Sequence, residues 1–435
     1  MPSPRILTAL EHEPIAITQD GSEGSLSPAE VVHLAKIGEQ RPGFCEIGVR
    51  QVKLAQYCGV VSMGDRVLEV LPKTQMAAEP AEDCRGVVLR LLALAARFPK
   101  FQHQSVGQHL RRAPLLEAFI ATFFDTVTSI ARGGLLRQYQ EQSDDLRLIR
   151  GRIDLARQIG RLSNRPDVAA CVFDELTADN VWNRVLKAGV RITRAWIRSA
   201  ELQRRWFELM GLFDEIDDTR LLASELAALS FNRQADRYRT AVAWARALLN
   251  LLSPALRGGQ HEAPALLFDM NKLFEAAIAT RLRQLIQSLP GHAVDSQDTS
   301  TALATMVTPE QVVAAFSLRP DLVIRQGAKV LAIADTKWKR VAQDNLARLL
   351  PSEADIYQMH AYASAFRCHE LALIYPWRAD LRPATVGEFH LPTVEGRSPV
   401  VRVVCVDVHD DTLPARFGDW PGLPNPALAT PRMAA

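Results

Sequence analysis

Four things are missing from this sequence. Its six cysteines (Cys45, Cys58, Cys84, Cys171, Cys368 and Cys405) are scattered, with no C-x-x-C pair and no histidine at zinc-ligand spacing. A disulfide framework and a structural zinc are therefore excluded, and the thiols read as the reduced cysteines of a cytoplasmic protein. No uninterrupted apolar run approaches membrane-spanning length, and the opening MPSPRILTALEHEPIAI has no charged start leading into an apolar segment. The chain is therefore expected to be neither exported nor membrane-embedded. Its formal net charge is only +2, which excludes a wholly basic nucleic-acid binder but leaves room for a local basic face. Finally, there is no G-x-x-x-x-G-K-[ST] phosphate loop, and LPKT at 71–74 lacks the required glycines. Such a chain is expected to bind no nucleotide itself, so any motor must be supplied by another chain.

With 435 residues, two or three domains are expected, and the pattern is α/β and multidomain. Residues 1–80 are short, β-like runs punctuated by Gly43, Gly48, Gly59 and Gly64, with one helix, SPAEVVHLAKIG, capped by Ser27 or Ser25 and closed at Gly38. Residues 83–252 read as mostly helical: Leu115, Leu116, Phe119, Ile120, Phe123, Phe124, Val127 and Ile130 recur at three- and four-residue spacing. SPALRGGQ at 253–260 reads as a linker. A third region, 260–412, runs helix (DMNKLFEAAIATRLRQLIQSLPG, with Asp269 or Asn271 at its start), hairpin, helix and strands, an α/β pattern with a mixed sheet. Residues 413–435, ending in a proline- and alanine-rich segment, read as a flexible tail.

The chemistry is concentrated in LRPDLVIRQGAKVLAIADTKWK at 318–339. A turn near Gln326-Gly327-Ala328 places Asp321 opposite Asp335 at the open end of a hairpin, and strand alternation puts Lys337 on the same face as Asp335. Two converging carboxylates need a cation, and hard oxygen ligands suit Mg²⁺ or Mn²⁺. With Lys337 to orient a water or hold a phosphate, Asp321 and Asp335 as metal ligands form a plausible phosphodiester-hydrolysing set. A bare D…D-x-K spacing is short and degenerate, and Asp and Lys at strand ends are often only solvated termini. Three neighbours add weight. Glu275, at the edge of the preceding helix's apolar face, can supply a third carboxylate. Gln358 and Tyr362 lie four residues apart on one face of the following helix. Lys339 and Arg340 follow directly, as phosphate contacts at the mouth of the site.

E…PD…D-x-K followed by Q-x-x-x-Y on this scaffold resembles the PD-(D/E)xK nuclease superfamily. FDMNKLFEAAIA, RPDLVIR, IADTKWK, DIYQMHAYA and LALIYP are similar to the McrC family, the nuclease subunits of McrBC-type modification-dependent restriction systems. The similarity continues upstream through LRLIRGRIDLARQI and DELTADNVWNRVLKAG to LEVLPK, and so covers most of the chain. The resemblance implies a C-terminal Mg²⁺-dependent endonuclease and a β-rich N-terminal domain that binds an McrB-like AAA+ GTPase oligomer. That partner recognises modified cytosine and moves double-stranded DNA, while the McrC subunit stimulates its GTPase and cuts. Asp321, Asp335 and Lys337 correspond to the nuclease triad, and Glu275, Gln358 and Tyr362 to accessory positions.

The middle region carries an arginine run that includes Arg150, Arg152 and Arg157, a candidate DNA-backbone track whose alternative is a solvated face or a surface toward the motor. Two other functions remain open at this stage: a regulatory subunit whose nuclease site is inactive, and a stand-alone repair or recombination nuclease.

Overall fold

The computed structural model describes residues 5–421 apart from 23, 65, 75–79, 96–111, 219–225, 227–228, 232, 253–264, 309–310 and 383–387. The expected linker at 253–260 and the end of the tail, 422–435, lie outside the described residues. The chain divides into two compact units. One comprises Met1–Ile6, Val61–Val67 and Leu116–Leu266; the other comprises Leu7–Val60, Leu68–Leu115 and Leu267–Ala435.

In the second unit, a mixed sheet runs in the order His292–Ser296, Leu322–Gln326, Lys329–Thr336, Glu370–Pro376, Val400–Val406, Glu388–His390. The Lys329–Thr336 strand pairs antiparallel with Leu322–Gln326 and parallel with Glu370–Pro376. The turn at Gly327 uses a positive φ of 60°, the left-handed conformation that glycine adopts without a Cβ penalty. From it the register runs out through Ile324↔Ala332 and Val323↔Ile333 to Leu322↔Ala334, one step short of Asp321 and Asp335. Alternation then sorts the faces. Val323, Ile333, Leu371, Leu373, Val401 and Val403 share a buried cluster with Met359, Tyr362 and Ala363 of the helix Glu353–Phe366. That helix opens with a capping box, Ser352 and Asp355. The helix Met270–Ile286, N-capped by Asp269, also packs on the Lys329–Thr336 strand. Ala415–Phe417, assigned above to the tail, instead forms a short strand on Val400–Val406, and Phe417 packs on the buried cluster and anchors it.

The N-terminal portion of this unit contains the capped helix Pro28–Gln40, which has a Ser27–Glu30 capping box and runs two residues past Gly38. The strands Arg5–Leu10, Arg66–Leu71, Tyr57–Ser62 and Ala265–Asp269 form a four-stranded sheet in that order. Glu69 is fully buried. Arg85 reaches it through two N–H groups at 2.8 and 2.7 Å, the Thr8 hydroxyl donates at 2.9 Å, and the Leu115 amide at 2.7 Å.

The other unit is built on the helices Leu115–Arg132, Val181–Ile192 and Arg239–Leu252, with Phe119 against Trp244 at 5.8 Å between ring centres. The segment DELTADNVWNRVLKAG is explained here. Asn180 caps the Val181–Ile192 helix, and Asn180 and Asn183 both donate to the Leu136 carbonyl. The Tyr238 hydroxyl donates to Asn183 Oδ1 and accepts from the Leu136 amide. Between the helices the structure also contains β-structure: Gln138–Leu146 and Ala169–Thr177 pair antiparallel along nine residues each, with Arg152–Ile153 on the second strand's other edge. In its two long strands only Ala170 and Cys171 are buried, so the sequence carries no apolar alternation that would have marked them as strands. Gly151, with φ of 69°, sits where a Cβ would come within 2.3 Å of the Val172 carbonyl.

Replacing Glu69 by Ala is expected to destabilise the chain by about 3 kcal/mol, because it strands the largely buried Arg85 without its counter-charge. Thermal or urea unfolding of the variant measures this.

Candidate functional site

The site lies where the Lys329–Thr336 strand leaves the sheet. Its parallel ladder with Glu370–Pro376 is extended one residue further by the Lys337 amide, which donates to the Ile374 carbonyl at 2.8 Å. This holds Asp335, Thr336 and Lys337 in extended form and fixes which way each side chain points. Thr336 donates both its backbone N–H and its hydroxyl to Asp321 Oδ2, each at 2.7 Å, so the second carboxylate is clamped beside the first. Asp335 is 2 % exposed. The Lys337 ammonium lies 2.5 Å from its Oδ2 and donates to Gln358 Oε1 at 2.9 Å. Gln358 Nε2 reaches Asp335 Oδ1 at 3.2 Å and the Tyr362 hydroxyl at 2.7 Å, and Tyr362 in turn donates to the Arg319 carbonyl at 3.1 Å. The structure thus brings Asp321, Asp335, Lys337, Gln358 and Tyr362 together in one contiguous cluster.

Glu275 is placed differently. It is buried, and both its oxygens accept from Gln297 Nε2, at 2.9 and 3.1 Å. The Gln297 amide donates to the Asp321 carbonyl, and Arg319 donates to Gln297 Oε1. Glu275 therefore connects to the Asp321 end through Gln297. Among the described residues, no three His, Cys, Asp or Glu side chains are grouped as a metal cage.

Burial, reinforced by the charge on Asp321, pushes the Asp335 carboxyl up to about 7 despite the opposing ammonium of Lys337. Its Oδ2 is buried without a partner in hydrogen-bond geometry. Tyr362 is pushed well above its usual value by burial and by Asp335. Two carboxylates, one of them buried with only an ammonium against its Oδ2, are a donor set that fits a hard divalent cation.

Sequence reasoning missed Asp355. Besides capping its helix, it accepts from the Tyr375 hydroxyl at 2.9 Å, pairs with Lys339 at 2.7 Å and lies 3.8 Å from Lys337. Burial alone would raise its pKa, but Lys339, Ser352 and Tyr375 hold it below the usual value. The S-x-x-D capping box just before an apolar helix was the available signal. Lys339 is thus tied to Asp355, and Arg340 lines an adjacent cavity. The middle-region arginines belong to the other unit and face carboxylates of their own ribbon: Arg150 pairs with Glu175 and lies over Phe173, Arg152 pairs with Glu141, and Arg157 with Asp145.

A mixed α/β chain of several sheets, with a buried acid, a lysine and a glutamine joined at a strand end, is the class that fold and site define. The family model described as "McrBC 5-methylcytosine restriction system component" matches residues 52–376, and the chain belongs to that family. It is similar to a chain of the half-complex refined from a tetradecameric assembly of Thermococcus gammatolerans McrB AAA+ hexamers with bound McrC. The two share 21 % identity and a TM-score of 0.69, over 94 % of this chain and 98 % of that one. At that identity the likeness establishes a common fold. A chain of the cryo-EM structure of the Thermococcus gammatolerans McrBC complex is 23 % identical, with a TM-score of 0.49, over 64 % of this chain and 87 % of that one. No curated protein matches. Among the described residues, no helix is long and apolar enough to cross a membrane.

The raised Asp335 carboxyl has a consequence for stability. Its proton is retained to about pH 7 in the fold but lost near 3.8 when the chain unfolds, so between those values the native state binds the extra proton and stability falls as pH rises. Asp335→Asn is expected to raise the melting temperature at pH 8 in the absence of divalent metal, and to change it little at pH 4. Equal shifts at both pH values would contradict the buried charge.

Proposed function

We propose that this chain is the nuclease subunit of a restriction complex acting in the cytoplasm. In this reading it is a metal-dependent DNA endonuclease that associates with an McrB-like AAA+ GTPase oligomer, stimulates its GTP hydrolysis and cleaves double-stranded DNA containing modified cytosine. The observation that carries the chemistry is the contiguous Asp321, Asp335, Lys337, Gln358, Tyr362 cluster. Family membership and the fold shared with a chain of an assembly of McrB hexamers with bound McrC support the partner.

Asp321 and Asp335 would hold Mg²⁺ or Mn²⁺. Bound there, the ion would stabilise the charge that builds on a phosphodiester and lower the pKa of a water. The protein's part is to prepare the site. Thr336 fixes Asp321 so that its remaining oxygen is available. Burial strips water from Asp335 and strengthens its attraction to a cation. The Gln358 carbonyl would steady Lys337 as its ammonium exchanges Asp335 for a phosphate oxygen, and Tyr362 locks the amide orientation of Gln358. Glu275 would act from the Asp321 side through Gln297. Lys339 and Arg340 would contact the DNA backbone at the mouth. In the other unit, Arg150, Arg152 and Arg157 would exchange their exposed carboxylate partners for phosphates, a change of low cost because such surface pairs are weak.

The purified complex of this chain with its motor, supplied with GTP, Mg²⁺ and methylated DNA, tests this. Lys337→Ala and Asp335→Asn are expected to abolish strand cleavage, a loss of at least about 100-fold, while partner co-purification and GTPase stimulation persist. Unchanged cleavage by Asp335→Asn would overturn the site. GTPase stimulation with no cleavage by the wild-type complex across Mg²⁺ and Mn²⁺ titrations would favour the regulatory reading. Cleavage by the isolated chain without nucleotide would favour the stand-alone one.

Binding of the ion must displace the proton on Asp335 below about pH 7. Calorimetric affinity for Mn²⁺ should therefore fall from pH 8 to pH 6, and Asp335→Asn should show weak binding at both.

A further inference from the structure

A cavity of about 580 Å³ is lined by the N-terminal segment and by Trp338, Lys339 and Arg340, which follow the Lys329–Thr336 strand. Trp338, the residue after Lys337, forms one wall and packs on Phe274 with ring centres 5.4 Å apart. Its indole N–H donates to Glu11 Oε2 at 3.2 Å. Glu11 is 2 % exposed, and its other oxygen, Oε1, is buried without a partner in hydrogen-bond geometry. Burial pushes this carboxyl up to about 7, against the Trp338 indole and the backbone amides of Gln56 and Lys73. Four cationic side chains, Lys73, Lys339, Arg340 and Arg378, complete the lining.

These features match the parts of a nucleotide. The volume lies in the range of small-molecule pockets, and an indole is a surface on which any base can stack. An orphaned carboxyl oxygen can accept from an amino or imino N–H at a base edge, which removes the cost of leaving it unsatisfied. The cations suit a phosphate. Their present partners are carboxylates: Glu13 for Lys73, Asp380 for Arg378 and Asp355 for Lys339. Of these, Glu13 is well exposed and so is a weakly held competitor, whereas Asp380 holds the buried Arg378 through two N–H groups.

We propose that this cavity is a nucleotide subsite: it takes one nucleotide of a DNA single strand, with the base against Trp338 and Glu11 and the phosphate among Lys73, Lys339, Arg340 and Arg378. The inference shares its DNA substrate with the proposed function but requires neither the metal nor cutting. Lys339, which lines the cavity, pairs with Asp355, and Asp355 lies 3.8 Å from Lys337, so a nucleotide held here would tether the strand near the proposed nuclease site.

The test is fluorescence anisotropy of a short labelled DNA single strand with the full chain in EDTA, where the metal site plays no part. Failure of the nuclease reading therefore leaves this measurement untouched, and the two can fail separately. Wild-type protein is expected to bind, with dCMP competing better than inorganic phosphate. Trp338→Leu should weaken binding roughly ten-fold, equivalent to about 1.4 kcal/mol. Arg340→Ala, at an exposed position, and Lys73→Ala, at a half-buried one, should each weaken it several-fold and keep the proposal testable if the tryptophan variant fails to fold. Wild-type affinity in both of these variants would overturn the proposal. Inorganic phosphate competing as well as dCMP would reduce the site to an anion patch and overturn the base contact. dCMP binding with no affinity for the strand would assign the cavity to free nucleotides and overturn the DNA assignment.

Discussion

Asp335 ends a strand that is hydrogen-bonded along both edges, and its carboxylate is buried beside that of Asp321. Two acids in that position repel, and burial removes the water that would screen them. The surrounding groups answer this conflict. Thr336 spends two donors on Asp321, Lys337 brings its charge onto Asp335, and Gln358 holds both Lys337 and Asp335 through the two ends of one amide. Asp335 Oδ2 ends this arrangement buried, with the Lys337 ammonium 2.5 Å away.

A second layer supports the first. Tyr362 directs the Gln358 amide, and Asp355 receives Tyr375 and Lys339 while capping the helix that carries Gln358. A helix cap and a site position are thus the same residue, which couples the start of the helix to the lysine end of the strand. On the far side, Gln297 connects Glu275 with the backbone of Asp321. Rigid secondary structure positions both layers, which is how side chains are held within the small tolerances that phosphoryl chemistry requires.

The N-terminal segment also takes part in this architecture. Glu11 accepts from Trp338, Gln56 donates to Asp269 at the cap of the Met270–Ile286 helix, and Arg90 donates to the Val408 carbonyl. Residues far apart in the chain therefore share one packed unit with the candidate site. A description by consecutive segments separates groups that the fold holds together.

The order of residues by itself determined the hairpin and the placing of its acids. A glycine turn, strict alternation and local helix spacing are short-range rules, so the placing of Asp321 opposite Asp335 and of Gln358 beside Tyr362 was legible from spacing alone. The capping residues Ser27 and Asp269 were legible for the same reason. The ribbon at 138–177 was not, because its two long strands bury only Ala170 and Cys171 and so carry no apolar period. Only the tertiary structure decided that Glu275 meets Gln297, that Asp355 joins the lysines, and that Glu11 reaches Trp338 across more than 300 positions of sequence. Those contacts depend on which faces of distant elements are packed together, and no local pattern encodes that.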